Sequence, residues 1–468
     1  ARGVAPGDKI QVHSRNNLQM FESCWVAFRL GCVWVPTNFR LTPPEVAYLA
    51  DSSHASWMIY EAGFEAHADA VRAQANALRD VVCIGEGRAG ELSYEALMKA
   101  HLGATAEDAV VGPDDALWYF YTSGTTGKPK AGTLTHGQMN FVVVNHLADL
   151  VPGITHEDCA IAVAPLSHGA GIHALVSVAR GATTVLMPGD GLDPETFWRL
   201  VEKHRVSHLF TVPTIVKMLV EHPAVDAYDH SSLRYMIYAG APMYREDQRL
   251  ALRKLGRVLV QYFGLGEVTG CITVLPARMH SEDDADPNAN IGACGYARTG
   301  MELAILDEAG QPVPAGTIGE ICCKGLAVFA GYYGNPSATS HTLRGGWFHT
   351  GDLGRMDERG MLYITGRQSD MYISGGSNVY PREVEEALLT HPAVGEAAVV
   401  GVPDPKWGEI GVAVIVRKPA ADCSPEELLA HLDGKLAKYK WPRRIVFWDE
   451  LPRSGYGKVP KNLIRERL

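Results

Sequence analysis

The residues best suited to chemistry lie together in Tyr121-Thr122-Ser123-Gly124-Thr125-Thr126-Gly127-Lys128-Pro129-Lys130. Small and hydroxylated side chains dominate the stretch, so backbone N–H groups can close around a polyanion while the hydroxyls add donors. Lys128 and Lys130 bring point charges for phosphate. Residues 116–121 just before it are apolar and aromatic, which predicts a buried strand that delivers the loop. The loop is not a Walker A motif: two residues separate Gly124 from Gly127 where that motif has four, and Pro129 follows the lysine in place of Ser or Thr. Its composition also suits a flexible linker, but a strand before it and two lysines after it favour phosphate binding.

A second glycine pattern is read differently. Gly85-Glu86-Gly87-Arg88-Ala89-Gly90 is a literal G-x-G-x-x-G after a strand-like run. In a dinucleotide site the helix begins inside the glycines. Here the cap is expected at Ser93, and Glu86 would repel a pyrophosphate, so a surface turn is expected. His168 and His173 lack a carboxylate or cysteine at ligand spacing, which argues against a metal between them. No G-x-S-x-G occurs, which excludes a serine-hydrolase elbow.

The elements around these residues alternate. Strand-like runs near residues 9–14, 32–36, 56–60 and 80–84 are separated by helical patterns, and Thr42-Pro43-Pro44-Glu45 forms a capping box. Such alternation predicts a parallel, doubly wound α/β sheet. Further strand-like runs fall at 209–213, 235–239 and 258–263, and the Gly-rich, β-branched stretch 291–325 predicts a β subdomain. Beyond residue 370 a compact α+β domain of about 100 residues is expected. It should include a helix capped by Ser424-Pro425-Glu426-Glu427 that runs to about residue 439.

Composition sets wider bounds. The chain has 468 residues, 46% hydrophobic and 21% charged, enough for two or more soluble globular domains. A formal charge of −10 without a basic run argues against nucleic acid. No apolar run reaches membrane-spanning length. Nine cysteines, far apart except for Cys322-Cys323 and without C-x-x-C or zinc spacing, suit reduced, mostly buried thiols and a cytoplasmic location. Residue 1 is Ala, so a preceding segment is expected to be missing from the numbering.

The loop at 121–130 also resembles the Y-T-S-G-[ST]-T-G-x-P-K signature of the adenylate-forming enzymes, which include acyl-CoA synthetases, and the resemblance runs to the C-terminus. It implies a large N-terminal adenylation core (1–367), a hinge at 366–370 and a small mobile C-terminal domain (370–468). Within that resemblance Thr122, Ser123, Gly124, Thr125, Thr126, Gly127 and Lys128 hold the phosphates of ATP. Gly240-Ala241-Pro242 passes beside adenine. Tyr262-Phe263-Gly264-Leu265-Gly266-Glu267 resembles Y-G-x-T-E, with an aromatic ring for adenine and Glu267 for Mg2+; Gly266 stands where the family has Thr. Asp352 and Arg367 match the ribose-binding pair, and Lys458 in Pro452-Arg453-Ser454-Gly455-Tyr456-Gly457-Lys458 matches the catalytic lysine. Thr122, Glu267 and Lys458 are therefore the catalytic candidates.

His168, Gly169, Tyr238 and Gly240 are implied for the acyl pocket, and Ser374, Gly375 and Gly376 for coenzyme A. Ser369 is implied as the pivot, where relatives carry Asp or Lys. No Asp occurs from Pro165 to His173, which argues against an amino-acid substrate, since its ammonium would be buried without a partner. The run Gly169-Ala170-Gly171 is expected to leave room for a bulky apolar acid. The implied activity is ATP-dependent acyl-CoA synthesis from an apolar monocarboxylate, fatty or aromatic. Loading of a carrier protein or a nucleotide-binding pseudoenzyme are the alternatives, and oligomeric state, a homodimer included, stays open.

Overall fold

The computed structural model describes residues 3–122, 128–189, 191–241, 243–374, 376–453 and 459–468. The chain divides into two compact units, one of residues 1–303 and 323–348 and the other of 304–322 and 349–468.

The first unit holds two seven-stranded sheets. In the first sheet the strands are Lys9–His13 (β1), Val33–Thr37 (β2), Trp57–Glu61 (β3), Asp80–Ile84 (β4), Leu92–Ser93 (β5), Ala116–Thr122 (β6) and Lys130–Thr135 (β7). Their order is β5-β4-β3-β1-β2-β6-β7, parallel throughout except for the edge pair β6–β7. The second sheet is built from Cys159–Ala162 (β8), Thr183–Leu186 (β9), His208–Thr211 (β10), Tyr235–Tyr238 (β11), Leu259–Phe263 (β12), Thr273–Leu275 (β13) and Tyr296–Ala297 (β14). It runs β14-β13-β12-β11-β10-β8-β9, with β13 and β14 antiparallel at one edge. Helices follow most parallel strands, as a doubly wound sheet requires.

Local chemistry sets the helix ends. Thr42 caps the helix Pro43–Ser53, and Glu45 accepts the Thr42 N–H at 2.7 Å. Ser93 caps Tyr94–Ala100, and residues 85–90 form an exposed turn before it. The helix after Ser424 differs from expectation. It spans Pro425–His431 and stops short of Asp433-Gly434, where Gly434 takes a positive φ. A helix does not continue through that conformation.

The chain passes between the units along Met301–Leu306 (β15), Gly319–Gly325 (β16) and Trp347–Met356 (β18). With Leu343–Arg344 (β17) and Leu362–Arg367 (β19) these make a five-stranded sheet. The second unit also holds Tyr372–Ser374 (β20), Ser377–Val379 (β21), Val394–Asp404 (β22), Gly408–Arg417 (β23) and Arg444–Phe447 (β24) in another. Its core packs Tyr372, Val384, Leu388, Val399, Ile415 and Leu428. No described helix is long and apolar enough to cross a membrane, and all nine cysteines are free and buried.

Candidate active site

Strand alternation decides which side chains reach the site. On β6, Trp118 and Phe120 join the large apolar cluster, whereas Tyr119 and Tyr121 pack on the other face. Thr122 ends the strand on the Phe120 side, opposite Lys130 on β7. The residues between them, Ser123, Gly124, Thr125, Thr126 and Gly127, lie outside the described residues, as do Pro242, Gly375 and Lys458. Lys128 is exposed with its Nζ 5.3 Å from the Tyr48 ring centroid, and Lys130 Nζ stands 5.4 Å from that of Tyr332.

Glu267 sits in a short turn directly after β12 and is 6% exposed. Its Oε1 accepts from Thr122 Oγ1 at 3.0 Å and from the Tyr332 hydroxyl at 2.8 Å. Three remote segments thus meet on one carboxylate oxygen. Tyr332 reaches it because residues 330–333 run beside β7: the N–H of Thr133 donates to Gly331, that of Ala330 to Thr133 and that of Tyr333 to Ala131. Phe329 N–H donates to the Glu267 carbonyl at 2.7 Å and fixes the crossing. Burial, then the Glu267 charge, pushes the Tyr332 hydroxyl well above the usual phenol range, so it stays a donor. Tyr332 carries no local signal in the sequence beyond an aromatic pair after glycine.

Gly266 is explained by its neighbours. A Cβ there would lie 2.6 Å from Phe120 Cδ1 and 2.9 Å from Thr122 Cγ2. Phe120 fills the volume that a threonine side chain would need. Phe263 lines the same apolar cluster as Phe120, and Gly264 approaches the backbone of Gly270. Tyr262 does not belong with them. It is 8% exposed on the opposite face of β12, its ring stacked 5.7 Å from Phe210 and 6.0 Å from His173.

The acyl-pocket expectation changes in two ways. Tyr238 is 1% exposed, hydrogen-bonded through its hydroxyl to Gln248, Gln261 and His280, and packed in the core of the second sheet. The small run Gly169-Ala170-Gly171 is close packing and not open space: a Cβ at Gly169 would lie 2.7 Å from the Phe210 ring, and one at Gly171 would lie 2.1 Å from the Leu166 carbonyl oxygen. The void behind Gly171, walled by Trp34, Trp118 and Leu175, holds about 10 Å³, room for about one water. His168 precedes the helix Gly169–Ala179 with its ring 4.9 Å from Phe120. His173 is buried against Phe210, where burial and then Arg298 keep it neutral. Gly240 and Ala241 are exposed after β11, Gly240 with a positive φ.

In the second unit Asp352 and Arg367 face each other across β18 and β19. Arg367 Nε donates to Asp352 Oδ1 at 3.1 Å; Asp352 is buried and Arg367 half-exposed. A buried carboxylate beside a cation at an accessible edge suits two vicinal hydroxyls. Ser369 is exposed in the turn after β19. Ser374 is buried at the end of β20, and Gly376 is exposed in the turn to β21.

Residues 1–333 match the AMP-binding enzyme family, and residues 383–458 match the AMP-binding enzyme C-terminal domain. The chain belongs to this family. It is 37% identical over 472 residues to a feruloyl-CoA synthase of an Amycolatopsis species, covering all of this chain and 90% of that protein. It is 35% identical to an indoleacetate–CoA ligase of Aromatoleum aromaticum, covering all of this chain and 89% of the relative. Among solved structures, the amide bond synthetase McbA from Marinactinospora thermotolerans superposes with a TM-score of 0.88 at 29% identity, covering all of this chain and 91% of that one.

Proposed function

We propose that the chain is an ATP-dependent acid–CoA ligase. A carboxylate attacks the α-phosphate of ATP to give an acyl-adenylate and pyrophosphate; the thiol of CoA then attacks the acyl carbon, giving acyl-CoA and AMP. The observation that carries this reading is the buried Glu267 carboxylate. It is held by two neutral hydroxyls and by no cationic side chain among the described residues. A buried charge so placed suits a hard cation, and Mg2+ bound there would neutralise phosphate charge during the displacement.

The remaining roles follow the family pattern. Thr122, Lys128 and the residues between them hold the leaving pyrophosphate, Phe263 and the 240–242 turn hold adenine, and Asp352 with Arg367 holds the ribose. Lys458 meets the charge that builds between carboxylate and α-phosphate, where one well-placed donor contributes about 10²–10³ in rate. The functional boundary lies at 366–370, with Ser369 as the pivot between half-reactions and Ser374 to Gly376 serving the pantetheine arm.

The acid is an apolar monocarboxylate. Phe120 and Phe210 border the His168 segment, no Asp lies there, and the named relatives act on ferulate and indoleacetate, so an aromatic acid is placed first and a fatty acid second. The likeness to an amide bond synthetase supports one rival, in which an amine replaces the thiol. Release of AMP across a panel of aromatic and fatty acids, with CoA, with an amine and with neither, separates the two. Steady turnover that requires CoA is expected; turnover supported by an amine but not by CoA would overturn the ligase reading.

A further inference from the structure

Glu320 and Cys322 are two residues apart on β16 and so share one face of the strand. The neighbouring strand β18 brings His349 to that face. His349 Nδ1 lies 2.7 Å from Glu320 Oε2 and 3.4 Å from Cys322 Sγ. One donor atom from each residue falls within 4.8 Å of the others, and among the described residues this is the one such grouping of three or more His, Cys, Asp or Glu side chains. We propose that Glu320, Cys322 and His349 form a binding site for one thiophilic divalent cation, Zn2+ by preference, with a fourth position open to solvent.

The donor set and its spacing carry the inference. Tetrahedral zinc with N, O and S ligands holds its donors about 3.3–3.7 Å apart. The Nδ1–Sγ separation already lies in that range, and the Nδ1–Oε2 contact needs to open by roughly half an ångström. Carboxylate and thiolate together carry two negative charges, which balance a divalent ion at neutral imidazole; the thiol proton passes to solvent as the ion binds. Cys322 is fully buried, but the side chains of His349 and Glu320 are 7% and 16% exposed, so an ion has a way in from their side. The thiolate disfavours magnesium and calcium. A nucleophilic Cys–His–Glu relay does not fit, because carboxylate and sulfur address the same ring nitrogen. Glu320 Oε1 also accepts the N–H of Gly351 at 3.0 Å, so the carboxylate is held through the oxygen that faces away from His349. The test reads the metal itself.

The test titrates Co2+ into the reduced full-length chain without nucleotide and follows absorbance. One equivalent is expected to give a near-ultraviolet thiolate-to-cobalt band, which Zn2+ removes one for one. Cys322→Ser should abolish the band, His349→Asn should weaken Co2+ binding at least about tenfold, and Cys423→Ala, at another buried cysteine of the same unit, should keep it. Absence of the band in the unaltered chain, its survival in Cys322→Ser or its loss in Cys423→Ala would overturn the proposal. If Cys322→Ser fails to fold by circular dichroism, Glu320→Gln and His349→Asn at the partly exposed positions take its place. A loss of Co2+ affinity in either supports the site, and unchanged affinity in both refutes it.

Discussion

A threonine at position 266 would place its Cβ 2.6 Å from Phe120, so Gly266→Thr overpacks the turn that carries Glu267. It is expected to lower stability by about 1–3 kcal/mol. Trimming the ring in Gly266→Thr/Phe120→Val should make the pair less damaging than the sum of the single changes, by more than about 0.5 kcal/mol in urea unfolding; strict additivity would contradict the shared volume. Tyr332→Phe removes one donor from a buried carboxylate without altering shape. Hydrogen bonds to charged groups contribute about 1.5–3 kcal/mol. The rate of pyrophosphate exchange should fall roughly tenfold to a hundredfold at fixed Mg2+, and an unchanged rate would remove Tyr332 from the site. Glu267 and Phe263 were legible because they stand in one short motif. Tyr332 was not, since its meeting with Glu267 depends on strand pairing between residues far apart in sequence.

Elements bury their histidines on packed faces, and this gives the fold an acid limit. His13 on β1 is held by burial down to about 3, and His208 on β10 and His280 down to about 4. His146 and His173, on the helices His136–Asp149 and Gly169–Ala179, are held well below the ordinary value by burial and then by Arg298. Well above pH 6.5, from about pH 7.5, these rings are neutral in both folded and unfolded chains and stability is indifferent to them. As pH falls below 6.5 the unfolded chain binds protons that the folded chain refuses, so stability drops, by up to about 1.4 kcal/mol per pH unit for each ring. The loss continues to about pH 4 for His208 and His280. Thermal unfolding should therefore show Tm falling steeply between pH 6.5 and 5, with uptake of several protons per molecule; a Tm flat across that interval would contradict the neutral buried rings. The strand and helix pattern that buries these residues was legible from periodicity. The tight contacts of Gly169 and Gly171 were not, because a glycine in a sequence does not say whether a neighbour fills its space or a ligand does.

At the scale of the whole molecule, the doubly wound sheets and the α+β end of the chain follow from strand–helix alternation and capping residues. The division into units was less legible, since β15, β16 and β18 each carry the chain from one unit to the other, and no local pattern marks such a passage. The metal-competent trio at Glu320, Cys322 and His349 escaped sequence reasoning for the same reason. As a whole, the chain activates a carboxylic acid as its adenylate before handing it to a thiol. The most direct measurement supplies an aromatic acid labelled with 18O in both carboxylate oxygens, together with ATP, Mg2+ and CoA, and weighs the products. Attack of the carboxylate on the α-phosphate transfers one labelled oxygen to AMP and leaves the other in the acyl-CoA. Unlabelled AMP, or ADP released beside labelled inorganic phosphate, would contradict the account.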